Sequence, residues 1–330
     1  PNKWVKAAEA CKLCIDEAEK AGYKLYVETG PTGENDPFMS TYNVHIKKWS
    51  EGNREITFPV TKGNGYFDFF LYGASTREFS GGGGQGVYQG LVDAFFTRRG
   101  LPILEDESYS EKGFSENVDK RNTSWSYGTG KEGEITAAGI YKMYCNREPR
   151  FYISVLHNEQ WHIGGKRNTD FYMDGKDGGP SHDAPWSGYL VRKRVDPSAN
   201  PKEGSGDYKN RHGALCRLAE IYLSYAEALN EYSIEKGTYT ANQKEILRYV
   251  NLIRERAGIP EYSVSAEEGK ITAPSDPVEM RELIRQERRV ELNCESGLRF
   301  NDLRRWKLAE KVLDGDFYGM NAYIKVSDAD

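Results

Sequence analysis

Apolar positions recur with helical spacing in two stretches of the chain and lose that regularity between them. From Lys3 to Ala21, Trp4, Ala7, Ala8, Cys11, Cys14, Ile15 and Ala18 share one face and Gly22 stops the run. This predicts an amphipathic helix whose small side chains permit close contact with another helix. The regular pattern resumes at Ala214. Leu218, Ile221, Tyr222, Tyr225, Ala226 and Leu229 form one wide apolar face, and Ile246, Val250, Ile253 and Ala257 form a second. The second is expected to start at a Thr240–Gln243 capping box and to end at Gly258 and Pro260. A third helix is expected after Asp276, with Pro277 at its first position, Glu279 completing the cap, and Met280, Leu283, Ile284, Val290 and Cys294 on its apolar stripe. Glu287 and Glu291 lie on or beside that stripe. A carboxylate on a core face is costly unless paired, and Arg285, Arg288, Arg289, Arg299, Arg304 and Arg305 are the expected partners.

Between Tyr23 and about His212 the apolar runs are short, as in ITFPV, YFDFFLYG and RFYISVLH, and Gly, Pro, Asn and Asp interrupt them. Long loops with a few short strands are expected there, with one short helix over Val87–Thr97. The residues therefore describe a mainly α protein: a helix at 1–22, a loop-rich region at 23–212 and a helical region at 213–330, read as one integrated unit. Structureless stretches of this length inside a compact protein are usually functional, so binding is sought in the loops.

Composition narrows the chemistry. Twelve per cent aromatics and 34 glycines stand against only 38% apolar residues, which suits an aromatic, loop-built binding surface. The net charge of −5 comes from acidic and basic residues mixed throughout, with no basic stripe for nucleic acid. Five cysteines are too few and too scattered for a disulfide scaffold, and the Cys11–Cys14 pair is expected to face a helix interface as small apolar residues. There is no run of 18 apolar residues and no visible signal peptide or lipidation cysteine. The opening helix has no partner ahead of it in the sequence.

One stretch, ERRVELNCESGLRFNDLRRW at Glu287–Trp306, resembles the C-terminal signature of the SusD/RagB family, with Cys294 where the family usually has a bulky aromatic and Ser296 added before Gly297. The resemblance extends to KWVKAAEACKLCIDEAEKAGYKLY near the start, to GVYQGLVDAFFTRRGLPI, to YKMYCNREPRFYISVL with Glu148 for the usual Asp, and to RLAEIYLSYAEALNEY and NLIRERAGIP. It implies a helical frame of tetratricopeptide-like pairs carrying a loop-rich region, with further helices ahead of the first, so an N-terminal part is expected to be missing from this sequence. It also implies a non-catalytic, lipid-anchored, surface-exposed outer-membrane protein that binds oligo- or polysaccharide and delivers it to a SusC-like TonB-dependent transporter. The family builds its glycan site from loop aromatics, but no single residue transfers by motif.

The residues themselves nominate such aromatics. Trp49, Trp125, Trp161 and Trp186 lie in the irregular region with Tyr66, Tyr127, Phe171, Tyr172 and Tyr189. A flat apolar ring with a polar tip suits stacking on a sugar. The candidate binding set is Trp125, Tyr127, Trp161, Asn168, Asp170, Phe171, Tyr172, Trp186 and Tyr189, with Asn158, Gln160 and Arg167 as further polar neighbours.

Other chemistries are weaker. Glu220 and Glu227 share a helix face and would serve a glycoside hydrolase, but nearby arginines favour neutralising pairs, which depress the pKa that a catalytic acid needs raised. GGGGQG at 81–86 lacks the preceding strand of a nucleotide-binding turn and is read as a flexible turn. Asp170, Asp174, Asp177 and Asp183 lack EF-hand spacing, leaving a weak Ca²⁺ option and otherwise no cofactor. No HxxxH pair supports zinc, and no G-x-S-x-G supports a serine hydrolase. Peptide capture by a RagB-like subunit, or a helical adaptor role, is the competing binding function.

Overall fold

The computed structural model describes residues 2–60, 73–79, 81–125, 131–161, 167–179, 182–195, 213–295 and 297–323. The architecture is mainly α. Helix α1 (Lys3–Lys20) opens the chain, followed by the short helices α2 (Pro37–Asn43), α3 (Gln89–Val92) and α4 (Pro149–Ser154). The frame continues with α5 (Leu218–Lys236), α6 (Tyr239–Arg256), α7 (Pro277–Glu291), α8 (Leu298–Arg305) and α9 (Ala309–Leu313). Strands occur only in two-stranded pairs among the described residues, including the short β2 (Asp119–Lys120) with β3 (Glu134–Thr136) and β4 (Val155–Leu156) with β5 (Leu190–Val191). Of these, the antiparallel pair of β1 (Ile56–Val60) and β6 (Gly213–Arg217) brackets the loop-rich region.

Helix α5 packs against α1, α6 and α7, burying Ile15, Leu218, Tyr222, Ala226, Ile246, Val250, Ile253, Met280 and Ile284 in one apolar cluster. Asp276 caps α7 by accepting from Val278 N at 2.8 Å, with Pro277 at the first position as expected. No capping box forms at α6. The helix starts two residues earlier than the pattern implied, and the Gln243 amide donates to Pro274 O and the Tyr239 hydroxyl. Cys11 faces the cluster, but Cys14 is exposed, so only one of the two thiols sits in the interface.

The loop-rich region has a second core of its own, which its broken periodicity concealed. Phe38, Tyr42, Phe95, Phe96, Trp125, Tyr144, Phe151, Tyr152 and Tyr189 are buried together there. The helix expected over Val87–Thr97 is only four residues long. The backbone beyond it bonds to side chains instead: Phe96 N–H donates to the Glu148 carboxylate at 2.9 Å, and Arg147 donates to Val92 O and Phe95 O. The 81–86 glycines form a closely packed segment and not a loose turn. Gly81 N–H donates to Thr76 O and Gly83 N–H to Ser75 O, and a Cβ on Gly83, whose φ is 57°, would sit 2.6 Å from Asp183 O.

A buried charge layer joins the two cores. Glu287 pairs with Arg150 at 2.5 Å and Arg254 at 3.1 Å; Glu291 pairs with Arg150 at 3.1 Å, Arg217 at 2.7 Å and Arg256. Glu55, Glu148, Glu295 and Lys193 extend the layer. The acids on the α7 stripe are thus neutralised as their placement required, but by arginines from α4, β6 and α6 and not by the nearby cluster expected from sequence. A helix cannot fold its own guanidiniums onto the face it buries, so the partners come from the surfaces packed against that face. Helix α7 stops at Glu291, short of Cys294, whose φ of 55° is left-handed; Arg217 and Lys193 take the freed Glu291 carbonyl.

Two histidines sit within these cores. His157 stacks on Tyr144 at 4.3 Å with Nδ1 2.8 Å from Asn158 O, and burial lowers its pKa to about 3. His45 is buried 3.6 Å from Glu295, and its burial outweighs that carboxylate, again lowering the pKa. Both fold neutral, whereas the unfolded chain protonates near the ordinary value of 6.5. Their contribution is complete above that value and is lost as pH falls below it, for His157 down to about 3. At pH 5 the loss from His157 is about 2 kcal/mol. Tm is expected to fall between pH 7 and 5, and His157→Phe should flatten that slope; an unaltered slope in thermal scans would contradict the assignment.

Candidate functional site

Two neighbouring clefts open on the loop-rich face, divided by residues 319–322 of an extended C-terminal arm. The first, about 460 Å³, is lined by Phe171, Met173, Ala184, Pro185, Trp186 and Tyr323. The second, about 380 Å³, is lined by Phe114, Tyr141, Tyr144, Glu159, Tyr172 and Tyr189. Met320 and Asn321 line both. Backbone bonds hold the arm down: Gln89 N–H donates to Tyr318 O at 2.7 Å, Met320 N–H to Ser187 O at 2.8 Å and Met173 N–H to Ala322 O at 2.9 Å. Gly188 and Gly319 permit this close crossing, since a Cβ on Gly188 would lie 2.6 Å from Met320 Cβ.

The nominated residues separate into three groups. Trp186 is 95% exposed and Tyr172 half-buried, and both line a cleft wall. Phe171 and Tyr189 are buried and form cleft floors; the Tyr189 hydroxyl donates to Gln89 Oε1 at 2.8 Å and meets the Tyr144 hydroxyl at 3.1 Å. Trp125 is only 5% exposed, with the Arg192 guanidinium over its ring at 4.4 Å and Tyr42 in an edge-to-face contact at 5.3 Å, so the ring is committed to the core. Trp161 is half-buried and pairs with Asn168 in an isolated antiparallel bridge outside the two clefts. Tyr127 and Tyr66 lie outside the described residues. Trp49 stacks on Arg54 at 3.6 Å and Tyr23 at 4.8 Å, beside the first helix.

Most of the expected polar contacts are spent inside the loop. Arg167 clamps both oxygens of Asp177 at 2.7 Å, and Asp170 N–H donates to Asp177 at 2.9 Å. Gln160 is buried and accepts from His157 N–H, and Asn158 Oδ1 accepts from Phe171 N–H at 2.8 Å. With Asp177 held by a guanidinium, Asp170, Asp174 and Asp177 do not form a cation site, and no acidic, His or Cys cluster among the described residues could hold a metal. Glu159 stands in the second cleft with its pKa raised by burial and by Asp170.

Phe114, Tyr141, Tyr323 and the arm were not anticipated. Phe114 in GFSEN and Tyr323 in GMNAY satisfy the same criterion that selected Trp186, an aromatic among Gly and Asn, and are 42% and 80% exposed. A larger cleft of about 530 Å³ around Ser108, Ser110, Asn117, Asp119, Lys142 and Asn146 is polar, and Tyr109 is its one aromatic. Glu227 accepts from Arg305 and from Trp306 Nε1 at 2.7 Å, while Glu220 is half-buried with its pKa raised by burial against the pull of Arg288 and Arg217. Neither lines either aromatic cleft.

A search of curated proteins finds no match. Among solved structures, a SusD-like protein from Bacteroides fragilis is 28% identical with a TM-score of 0.62, matching 93% of this chain and 52% of its own. A SusD-like carbohydrate-binding protein from the same species is 20% identical with a TM-score of 0.62, matching 96% and 51%. The chain thus spans about half the length of these structures. No described helix is long and apolar enough to cross a membrane. The profile of the SusD family matches residues 53–330, the segment that holds the charge layer, the two clefts and most of both cores, and the chain belongs to that family.

Proposed function

We propose that this protein binds oligo- or polysaccharide on the aromatic clefts, without catalysis, and passes it to a SusC-like TonB-dependent outer-membrane transporter while anchored by lipid at the cell surface. The observation that carries the glycan reading is the pairing of exposed Trp186 and Tyr323 in one open cleft. Such large exposed rings bury no core area, whereas a sugar ring offers C–H groups to stack and hydroxyls for the cleft's polar rim. Glu159 and Asn321 supply hydrogen-bonding groups in the second cleft. The carbohydrate-binding description of a relative from Bacteroides fragilis supports the same ligand class. Glu227 is neutralised by Arg305, so the Glu220–Glu227 pair lacks one of the two free carboxylates that cleavage of a glycosidic bond uses.

Calorimetry against a polysaccharide panel tests the reading. The Trp186→Ala, Tyr172→Ala double variant is expected to bind at least about tenfold more weakly, about 1.4 kcal/mol, with unaltered thermal unfolding. Undiminished binding by the folded double variant removes the clefts from consideration.

A further inference from the structure

Of three arginines beside the second cleft, only one has a carboxylate partner among the described residues. Arg285 and Arg289 lie one turn apart on α7, and Arg299 reaches them from α8. Arg285 and Arg299 both approach the Trp306 ring, at 4.8 and 5.8 Å. Arg285 has an ion pair with exposed Glu282 at 2.7 Å. Arg289 donates to Gly90 O and towards the Tyr88 hydroxyl at 3.4 Å, both neutral acceptors. No carboxylate among the described residues pairs with Arg299, and its buried Nε has no hydrogen-bond partner. Asp302, the nearest acid on its own helix, is taken by Arg288 at 3.0 Å and Arg305 at 2.7 Å. Burial, then Arg289 and Arg285, push the Arg299 pKa down. Three guanidiniums here share one exposed carboxylate, and like charges so held disfavour the folded state; this is an island of positive charge on a chain of net charge −5.

The island is continuous with the cleft through consecutive residues. Tyr88 and Gly90 meet Arg289, while Gln89 between them lines the second cleft and bonds to Tyr189 and to the arm at Tyr318. The arm repeats the arrangement: Phe317, 60% exposed, packs edge-on to Tyr88 at 5.5 Å, and Gly319 to Asn321 line the cleft. A ligand chain leaving the cleft over this ridge would meet guanidiniums and an exposed aromatic.

Resting on the glycan reading, we infer that Arg285, Arg289 and Arg299 form an anion-recognition patch, so that the glycan selected carries carboxylate or sulfate groups. Guanidinium suits both anions because its planar donors match their paired oxygens. Arg289 and Arg299 do the recognising and Arg285 adds charge, since only it has a carboxylate partner.

The test compares uronate-containing and sulfated oligosaccharides with their carboxyl-reduced and desulfated counterparts by calorimetry at two salt concentrations. At least one acidic member is expected to bind about tenfold more tightly than its neutral counterpart, with the difference shrinking at high salt. The Arg289→Gln, Arg299→Gln variant should lose that preference while keeping its affinity for neutral sugar and its thermal unfolding. Equal binding of acidic and neutral members, or a preference that survives in the variant, overturns the inference and leaves the cleft reading intact. Binding of no saccharide overturns both. A variant that keeps its glycan preference but no longer co-purifies with an outer-membrane transporter also overturns it, and assigns the patch to an acidic protein surface.

Discussion

Glu291→Leu is expected to cost about 3–5 kcal/mol, the range for removing one partner of a buried ion pair, and so to consume much of the stability of a typical domain. The carboxylate is buried against Arg150, Arg217 and Arg256 at the junction of α7 with β6 and the loop-rich core. Its loss leaves three guanidiniums in a layer with too little negative charge, and leucine supplies no hydrogen bond to replace those lost. The pH dependence has a definite sign. Burial pushes the Glu291 carboxyl up, but Arg256, Arg217 and Arg150 together hold it well below the ordinary 4.5, and Glu295 is depressed likewise by Arg217 and Lys193. A depressed carboxyl stabilises the fold above its unfolded value and loses that contribution as pH falls below about 4.5. Urea unfolding at pH 7 measures the effect, with Lys12→Ala in the surface Lys12–Asp16 pair as a control expected to change stability by less than about 1 kcal/mol. A Glu291→Leu midpoint equal to that of the control would show that the layer is not cooperative.

Arg147→Met is expected to be nearly as damaging, at about 3–5 kcal/mol, for a different reason. Arg147 is fully buried and has no carboxylate partner among the described residues. Its guanidinium donates to Met143 O at 3.1 Å, Val92 O at 2.5 Å and Phe95 O at 2.9 Å, and lies 4.8 Å over the Phe151 ring. Each carbonyl stranded without a donor costs about 1–3 kcal/mol, and methionine fills most of the volume, so the loss isolates the hydrogen bonds. Arg147→Lys should recover only part, because a single ammonium cannot reach three carbonyls arranged for a fork. Equal stability of the methionine variant and the parent would contradict the role given to this side chain. Since Phe95 and the backbone at Phe96 depend on this contact, near-ultraviolet circular dichroism should report loosening of the second core before the helices melt.

These residues show where the sequence was legible. The frame could be read because α1, α5, α6 and α7 bury one stripe each, and a stripe with a period near 3.6 is a local property of the sequence. The need to neutralise Glu287 and Glu291 could be read for the same reason. Their partners could not, since Arg150 and Arg256 are 137 and 35 positions away, at Glu287 and Glu291 respectively, and no periodicity carries such a distance. Trp125 and Trp186 make the same point for the site. Both stand among Gly, Ser and polar residues, but Arg192 and Tyr42 close over one and nothing covers the other.

By itself the sequence determined the mainly helical frame, the family and the presence of a loop-borne aromatic surface, because apolar period, helix ends and composition are encoded over a few neighbouring residues. Only the tertiary structure decided which aromatics face solvent, that the arm at 317–323 divides one face into two clefts, and that Arg289 and Arg299 pair with no carboxylate among the described residues. Those outcomes depend on long-range packing, in which a ring or a charge is committed to the interior or left at the surface by residues far away in the chain.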